Sequence, residues 1–453
     1  MIETIDPTTE RVLERIPLME AAQIDAVLEA AARRVAPWSA LSLDERAAVL
    51  RAIAVRMRAQ SDSLARTAVR EMGKPIVQAR AEVEKCARAF DYFAEHAAAM
   101  LAPQSAPTEA SRSYVAFRPL GVLLAIMPWN FPYWQVVRAA APALMAGNTL
   151  VLKHAANTTR CALELERVVR EAGAPDGCFG VVIARGDAID KVVGDPRIAA
   201  VTLTGSERAG AAVATAAGES LKKCVLELGG SDAFVVLSDA DLEAAAKTAV
   251  TARFQNNGES CIAAKRFIVE SPVYDEFLAA FVERAKELVV GNPMEERVQI
   301  GPCARADLRQ TIGEQVQGTL AAGARTALGG RAPERAGYFY EPTIVADVLP
   351  GMRMFEEEVF GPAAAVVRAS DREHALALAN ASVYGLGSSL WTRDLHAAEA
   401  FASRVEAGAV FINGMVASDP RLPFGGVKKS GYGRELSTFG IHEFVNVQTV
   451  WIG

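Results

Sequence analysis

Cysteine and histidine are scarce in this sequence, and neither is clustered. Six cysteines (Cys86, Cys161, Cys178, Cys224, Cys261 and Cys303) are scattered over 453 residues without a Cys-x-x-Cys pair. This argues against zinc ribbons and redox dithiols, and fits free thiols in a reducing cytoplasm better than a disulfide framework. The five histidines have no metal-ligand spacing, so no metal is expected. Positive charge is not in excess either. Lys and Arg number 48 against 54 Asp and Glu, a net charge of −6 with no basic run, which argues against a nucleic-acid partner. No stretch of about eighteen uninterrupted apolar residues occurs, so no membrane span is expected. The acid-bearing start Met1-Ile2-Glu3-Thr4-Ile5-Asp6-Pro7 reads as neither signal nor transit peptide, and the expected location is cytoplasmic.

What is present is apolar bulk. Half of the residues (51%) are hydrophobic and 23% are charged, the composition of a globular protein with a large interior. The length exceeds what one ordinary core serves, so two or three subdomains are expected. Residues 20 to 100 read as helix, with breaks at Pro37 and Gly73-Lys74-Pro75. Within them, Ser42-Leu43-Asp44-Glu45 forms a capping box that opens a helix through Arg58. Tyr114 to Pro119 looks like an exposed strand, half of a protruding ribbon. From Gly121 strands and helices alternate, beginning with the continuous apolar run Val122 to Ile126, a strand buried on both faces. Such alternation predicts an α/β, doubly wound parallel sheet with ligands at the carboxyl ends of its strands. A second series runs from Ala233-Phe234-Val235-Val236-Leu237 to Ala409-Val410-Phe411-Ile412-Asn413, placing a boundary near Gly229-Gly230. The tail Glu443 to Val450 alternates like a strand and lacks a local partner; it can pair with the ribbon near residue 115, in this chain or in a neighbour.

One stretch organises the functional reading. Phe254-Gln255-Asn256-Asn257-Gly258-Glu259-Ser260-Cys261 leaves an apolar run, turns polar, passes a glycine and presents one thiol before a strand resumes. A cysteine on such a connection can approach a ligand, whereas a structural one usually sits inside a periodic apolar segment. Upstream, Pro128-Trp129-Asn130-Phe131-Pro132 ends the first buried strand. Its prolines stop the strand and hold Asn130 at the strand's carboxyl end, as an oxyanion donor or simply as a capping residue. Val225-Leu226-Glu227-Leu228-Gly229-Gly230 places a carboxylate at the end of an apolar strand. There burial makes Glu227 a usable general base; on an edge strand it would be a solvent-facing acid.

The doubly wound pattern suggests a dinucleotide, yet no G-x-G-x-x-G follows any of the strands. The available phosphate cradle is Leu203-Thr204-Gly205-Ser206, where a strand turns into a helix through Gly205 and Ser206 is either a pyrophosphate donor or an ordinary cap. Lys153, ending a neighbouring strand, is either an amine near the adenosine ribose or a solvated surface lysine. Glu356-Glu357-Glu358-Val359-Phe360-Gly361-Pro362 pairs Glu358, a candidate ribose partner, with Phe360 before a Gly-Pro turn; a solvated helix end is the plain alternative.

Taken in order, the Trp129-Asn130 turn, Glu227-Leu228-Gly229-Gly230, Cys261 and Glu358-Val359-Phe360-Gly361-Pro362 resemble the aldehyde dehydrogenase superfamily over nearly the whole chain. The resemblance implies a nucleophilic Cys261, a water-activating Glu227, and an oxyanion hole made by Asn130 and the cysteine's own N–H. It also implies a cofactor domain (1–103 and 120–228), a catalytic domain (229–431) and an oligomerisation ribbon (104–119 and 432–453), giving a homodimer or homotetramer. Within that family, Gly258 to Arg266, Lys153-His154-Ala155 and Ser418 to Gly426 are similar to the succinate-semialdehyde dehydrogenase branch.

A carboxylated aldehyde needs a cation opposite the thiol. Arg138, with Trp134 as its i,i+4 neighbour, is the first candidate, unless it is an ordinary helix-surface arginine. Arg421 is the second, unless it only braces its loop. NAD-selective members commonly have a glutamate where this chain has Ala156, so the expected cofactor is NADP or NAD. Lys153, and His154 if protonated, would attract a 2′-phosphate. Two readings from other classes, a cysteine esterase and a catalytically retired structural protein, share the same motifs.

Overall fold

The computed structural model describes the backbone of all 453 residues and every side chain except that of Asp187. Two largely parallel sheets carry the molecule. The first has the order Gly431–Tyr432, Lys223–Glu227, Ile198–Thr204, Val122–Met127, Thr149–His154, Phe179–Val181, and only Gly431–Tyr432 runs antiparallel. From Val122–Met127 the chain moves outward for two strands and then returns to the other side for two more. That reversal opens a crevice at the carboxyl ends of Val122–Met127 and Ile198–Thr204. Helices cover both faces of this sheet, which is why Val122–Met127 is an unbroken apolar run.

The second sheet has seven strands in the order Arg325–Leu328, Thr343–Ala346, Ala363–Ala369, Ala264–Glu270, Asp232–Val236, Gly387–Trp391, Ala409–Ile412. The tail strand Val445–Ile452 pairs antiparallel with Arg112–Pro119 of its own chain, and Gln104–Ser105 adds a short third strand. The α/β, doubly wound fold class read from the alternation is therefore the observed one.

Differences are local. An N-terminal hairpin, Ile2–Asp6 with Arg11–Ile16, carries no turn glycine and had no sequence expectation. Residues 20 to 100 form four helices, Ala21–Ser39, Leu43–Ala59, Ser61–Met72 and Ile76–Met100. The Ser42–Glu45 capping box is present, and Gly73 (φ 78°) ends the third helix in the left-handed conformation. Pro37 breaks nothing; the helix Ala21–Ser39 runs on through it, at the loss of the one backbone donor that proline lacks.

The helix Trp134–Met145 is buried along its whole length, including Gln135 and Arg138. Glu82, from the helix Ile76–Met100, caps its start by accepting from the N–H groups of Tyr133 (2.8 Å) and Trp134 (2.9 Å), and is itself ion-paired with buried Lys74. A carboxylate there satisfies two orphan donors and complements the helix dipole. Ile76–Met100 thereby fixes where Trp134 and Arg138 emerge.

Candidate active site

The segment before Cys261 is locked by backbone geometry. Asn256, Asn257 and Gly258 all take positive φ (54°, 59° and 72°). Asparagine tolerates this region and glycine adopts it freely. At Gly258 a side chain is also excluded sterically, since a Cβ would lie 2.4 Å from the Gly361 carbonyl oxygen. The Asn257 amide donates to Gly73 O and Pro302 O (3.0 Å each) and accepts from Gly301 N (2.8 Å). Asn256 donates to Asn130 O and Glu259 O (2.9 Å each). Beneath the loop, buried Lys265 donates to Ser260 O (2.8 Å) and Cys261 O (2.5 Å).

The thiol so held, 8% exposed, stands where two cavities meet. One, of about 350 Å³, is lined by Lys85, Trp134, Arg138, Ser418 and Phe424 among others. The other, of about 240 Å³, is lined by Trp129, Asn130, Gly205, Glu227, Glu358 and Phe360. Asn130 Nδ2 spends one N–H on Glu259 O (3.1 Å), which leaves its second N–H for a ligand.

Glu227 ends the strand Lys223–Glu227 in full burial. Oε2 accepts from Arg138 (3.2 Å), while Oε1 has no partner among the described residues and is free to take a proton from a water. Burial raises the Glu227 pKa, opposed by the Arg138 charge and the neighbouring thiol. Burial also pushes the Cys261 thiol well up, and the Glu227 charge adds to this; Arg138 and Lys265 pull the other way. Burial thus works against the charged form of each group. An up-shifted carboxylate is also a stronger base for the thiol or for water.

Arg138 is in the substrate-side cavity, as expected, but it is not a free cation. Its guanidinium pairs with Glu227 and Glu435, donates to Thr204 Oγ1 (3.2 Å) and lies over the Phe424 ring (4.6 Å). Burial opposes its charge, yet the two glutamates outweigh that and raise its pKa. Glu435 is in turn pushed up to about 7 by burial, against the pull of Arg138. Arg421 is in neither cavity. Its side chain is exposed and makes a two-pronged pair with Asp419 (2.8 and 2.7 Å), bracing its own loop.

On the other side of the thiol, Ser206 caps the helix Glu207–Glu219 by accepting from Ala209 N (3.3 Å), and Gly205 forms the turn before it. Trp129 and Phe360 meet edge to face (5.7 Å) as an apolar wall. Glu358 accepts from Gly230 N (3.0 Å) and pairs with Lys265 (3.3 Å); a Cβ on Gly229 would lie 2.8 Å from its carboxylate, so only glycine lets it sit there. Lys153 is the last residue but one of Thr149–His154, the strand next to Val122–Met127; it is partly buried and without a hydrogen-bond or ion-pair partner among the described residues, and burial lowers its pKa. Ala156 opens a short 3₁₀ turn just beyond, with no carboxylate to offer. An open helix N-terminus, an aromatic wall, a strand-end carboxylate and an unpartnered amine suit a nicotinamide dinucleotide.

His154 does not contribute charge there. Its ring is turned inward, bonded to Pro132 O, Ala155 N and Thr158 Oγ1, and burial lowers its pKa to about 4. Among the described residues no cluster of His, Cys, Asp and Glu could hold a metal, and no helix is long and apolar enough to cross a membrane.

Four site residues had no role in the sequence reading: Lys85, Lys265, Ser418 and Glu435. Lys85 lies in the charged helical run Glu82-Val83-Glu84-Lys85, which reads as a solvated face. Lys265 and Ser418 fall inside quoted segments but carry no pattern of their own. Glu435 follows Gly433-Arg434 with no signal at all.

A buried thiol between a crevice suited to a dinucleotide and a second, small cavity fits an oxidoreductase working through a covalent adduct. The model of the aldehyde dehydrogenase family matches residues 1–450, and the chain belongs to that family. Among curated relatives, the succinate semialdehyde dehydrogenase [NAD(P)+] Sad of Escherichia coli is 51% identical over 99% of this chain and 97% of its own. Succinate-semialdehyde dehydrogenase [NADP(+)] 1 of Mycobacterium tuberculosis is 49% identical over 100% and 99%. The solved succinic semialdehyde dehydrogenase of Streptococcus pyogenes, in complex with NADP+, superposes with a TM-score of 0.97 at 38% identity, covering all of both chains.

Proposed function

We propose that the protein oxidises succinate semialdehyde to succinate with NADP or NAD as hydride acceptor. The observation that carries the reading is Cys261 standing at the junction of a cofactor crevice and a small cavity with cationic side chains in its wall. The relatives named for this reaction, one using NAD(P)+ and one NADP+, support it.

The residues divide the work. Cys261, relieved of its proton by Glu227 directly or through water, attacks the aldehyde carbon. The second N–H of Asn130 and the Cys261 backbone N–H hold the oxyanion, and a donor of this kind typically contributes 10²–10³ in rate. A bound nicotinamide supplies the hydride acceptor that leaves a thioester on the cysteine. After the proton taken from Cys261 has passed to solvent, Glu227 deprotonates the water that attacks the thioester, and succinate leaves with Cys261 restored as the thiolate. The crevice residues Trp129, Gly205, Ser206, Glu358 and Phe360 would hold the dinucleotide, Lys153 would offer its amine to the ribose, and Ala156 would place no carboxylate against a 2′-phosphate.

The ribbon leaves Val447, Trp451 and Ile452 exposed, which supports a homodimer or homotetramer assembled through it. The free thiols support a cytoplasmic location. A panel of aldehydes with and without a terminal carboxylate, followed by absorbance of the reduced cofactor, tests the function. A clear preference for succinate semialdehyde is expected. Ester hydrolysis without cofactor reduction would instead favour the esterase, and inertness towards every aldehyde the retired enzyme.

A further inference from the structure

Lys265 lies at the start of the strand Ala264–Glu270, four residues after Cys261, and is completely buried. Its ammonium has three N–H donors and meets three acceptors: Ser260 O (2.8 Å), Cys261 O (2.5 Å) and the Glu358 carboxylate (3.3 Å). Stability alone does not explain such a residue. A buried ammonium loses its hydration, and a well-packed apolar side chain of similar volume often serves a fold as well or better. What the ammonium does that an apolar side chain cannot is hold two successive carbonyls of the nucleophile's own segment.

The Ser260 carbonyl belongs to the peptide unit that carries the Cys261 N–H. That unit is trans and planar, so its carbonyl and its N–H point in opposite directions. With the oxygen held by Lys265, the N–H faces away from the ammonium. It has no hydrogen-bond partner among the described residues, and it is the group that shares the oxyanion with Asn130 in the reading above. Ala263 N also donates to Ser260 O (3.2 Å), but a charged donor is roughly twice as strong as a neutral one. A cation on the oxygen also polarises the peptide group, which makes its N–H a stronger donor.

We propose that Lys265 is the positioning residue of the oxyanion hole: through the Ser260–Cys261 peptide it aims the Cys261 N–H and strengthens it as a donor. This rests on the covalent reading of Cys261 above, and not on which aldehyde is the substrate. Lys265 itself touches no reacting atom. Its charge has a second effect, on the thiol: together with Arg138 it favours the thiolate, against burial and the charges of Glu227 and Glu358.

Two reagents separate these effects. p-Nitrophenyl acetate acylates the thiolate through an oxyanion and releases p-nitrophenolate. Iodoacetamide alkylates the same thiolate by displacement of iodide, and no oxyanion forms. Both need the thiolate, so its population divides out of the ratio of the acylation to the alkylation rate constant, measured at a single pH with alkylation followed on the Cys261 peptide. K265M keeps the length of the side chain and loses every donor. Its ratio should fall by about tenfold to 10², part of the 10²–10³ that a complete oxyanion donor contributes. K265Q, a neutral donor, should lie between K265M and the wild type, and it keeps the test open should K265M fail to fold. N130A should lower the ratio as well. A packing role, or an effect on the thiol alone, leaves the ratio of the Lys265 variants at the wild-type value even where both rates drop, and that result overturns the proposal. A wild-type ratio in N130A overturns the oxyanion hole itself first, and this inference with it.

Discussion

The two cavities that meet at Cys261 are built in opposite ways. The cofactor side is made mainly of strand ends and the turns that follow them: Trp129-Asn130 after one strand, Gly205-Ser206 after another, Glu227-Leu228-Gly229 at the end of a third. Each contribution is a short contiguous segment. The substrate side is made of helix faces and one loop, and its polar residues come from far apart: Lys85, Trp134 and Ser418 lie on three elements with no common motif. Backbone geometry sets the first and side-chain packing the second. Chemistry common to many substrates is therefore fixed by local segments, and selection among aldehydes by dispersed ones.

The sharpest break of this contrast is at the residue the cavities share. Cys261→Ala should abolish aldehyde oxidation and any esterase activity, a loss of roughly 10⁴-fold or more, with the thermal midpoint preserved. Full turnover by the variant would remove the thiol from the chemistry. Glu227→Gln comes next. Rapid mixing should show a burst of about one reduced cofactor per active subunit, followed by turnover slowed by roughly 10²–10⁴, because deacylation loses its base. An unchanged steady-state rate would take Glu227 out of the mechanism.

Arg138→Ala probes the border between the two sides. It leaves Glu227 and Glu435 buried without a counter-charge, which costs about 3–5 kcal/mol, so chemical denaturation should register it and activity on both aldehyde types should fall together. A loss confined to carboxylated aldehydes would make Arg138 a direct substrate ligand after all. The smallest effect is on the cofactor side. Ala156→Glu should shift the NADP/NAD ratio of kcat/KM by about tenfold towards NAD, because a carboxylate there repels a 2′-phosphate. An untouched ratio would put the 2′-position elsewhere.

The same contrast explains what the sequence could tell. The alternation after Gly121 was legible because strands buried on both faces must be apolar throughout, and Val122–Met127 is. Asn130, Glu227 and Cys261 were legible as residues of unexpected polarity beside glycine or proline, and the structure brings all three to one cavity wall. The partner of Arg138 was not. A helix position says which side chains share a face, but not that Glu435, nearly three hundred residues on, will take the guanidinium. Lys85 was hidden for the same reason, since glutamates adjoin it in sequence while the indole and the hydroxyl it meets belong to other elements. His154 misled because a histidine beside a lysine looks surface-bound, whereas its ring satisfies backbone groups inside.

The left-handed run Asn256-Asn257-Gly258 has a consequence for how the molecule comes into being. Its conformation is unfavourable for a free chain, and the contacts that compensate come from Gly73, Asn130, Gly301, Pro302 and the neighbourhood of Gly361. Those anchors span most of the polypeptide, and the Arg138 clamp waits for Glu435, close to the C-terminus. A nascent or half-folded chain therefore carries an ordinary cysteine in place of a positioned nucleophile. The thiol, the oxyanion donor and the base therefore come together only when those distant segments have met, and a truncated product or a stalled intermediate holds the thiol without the groups that act with it.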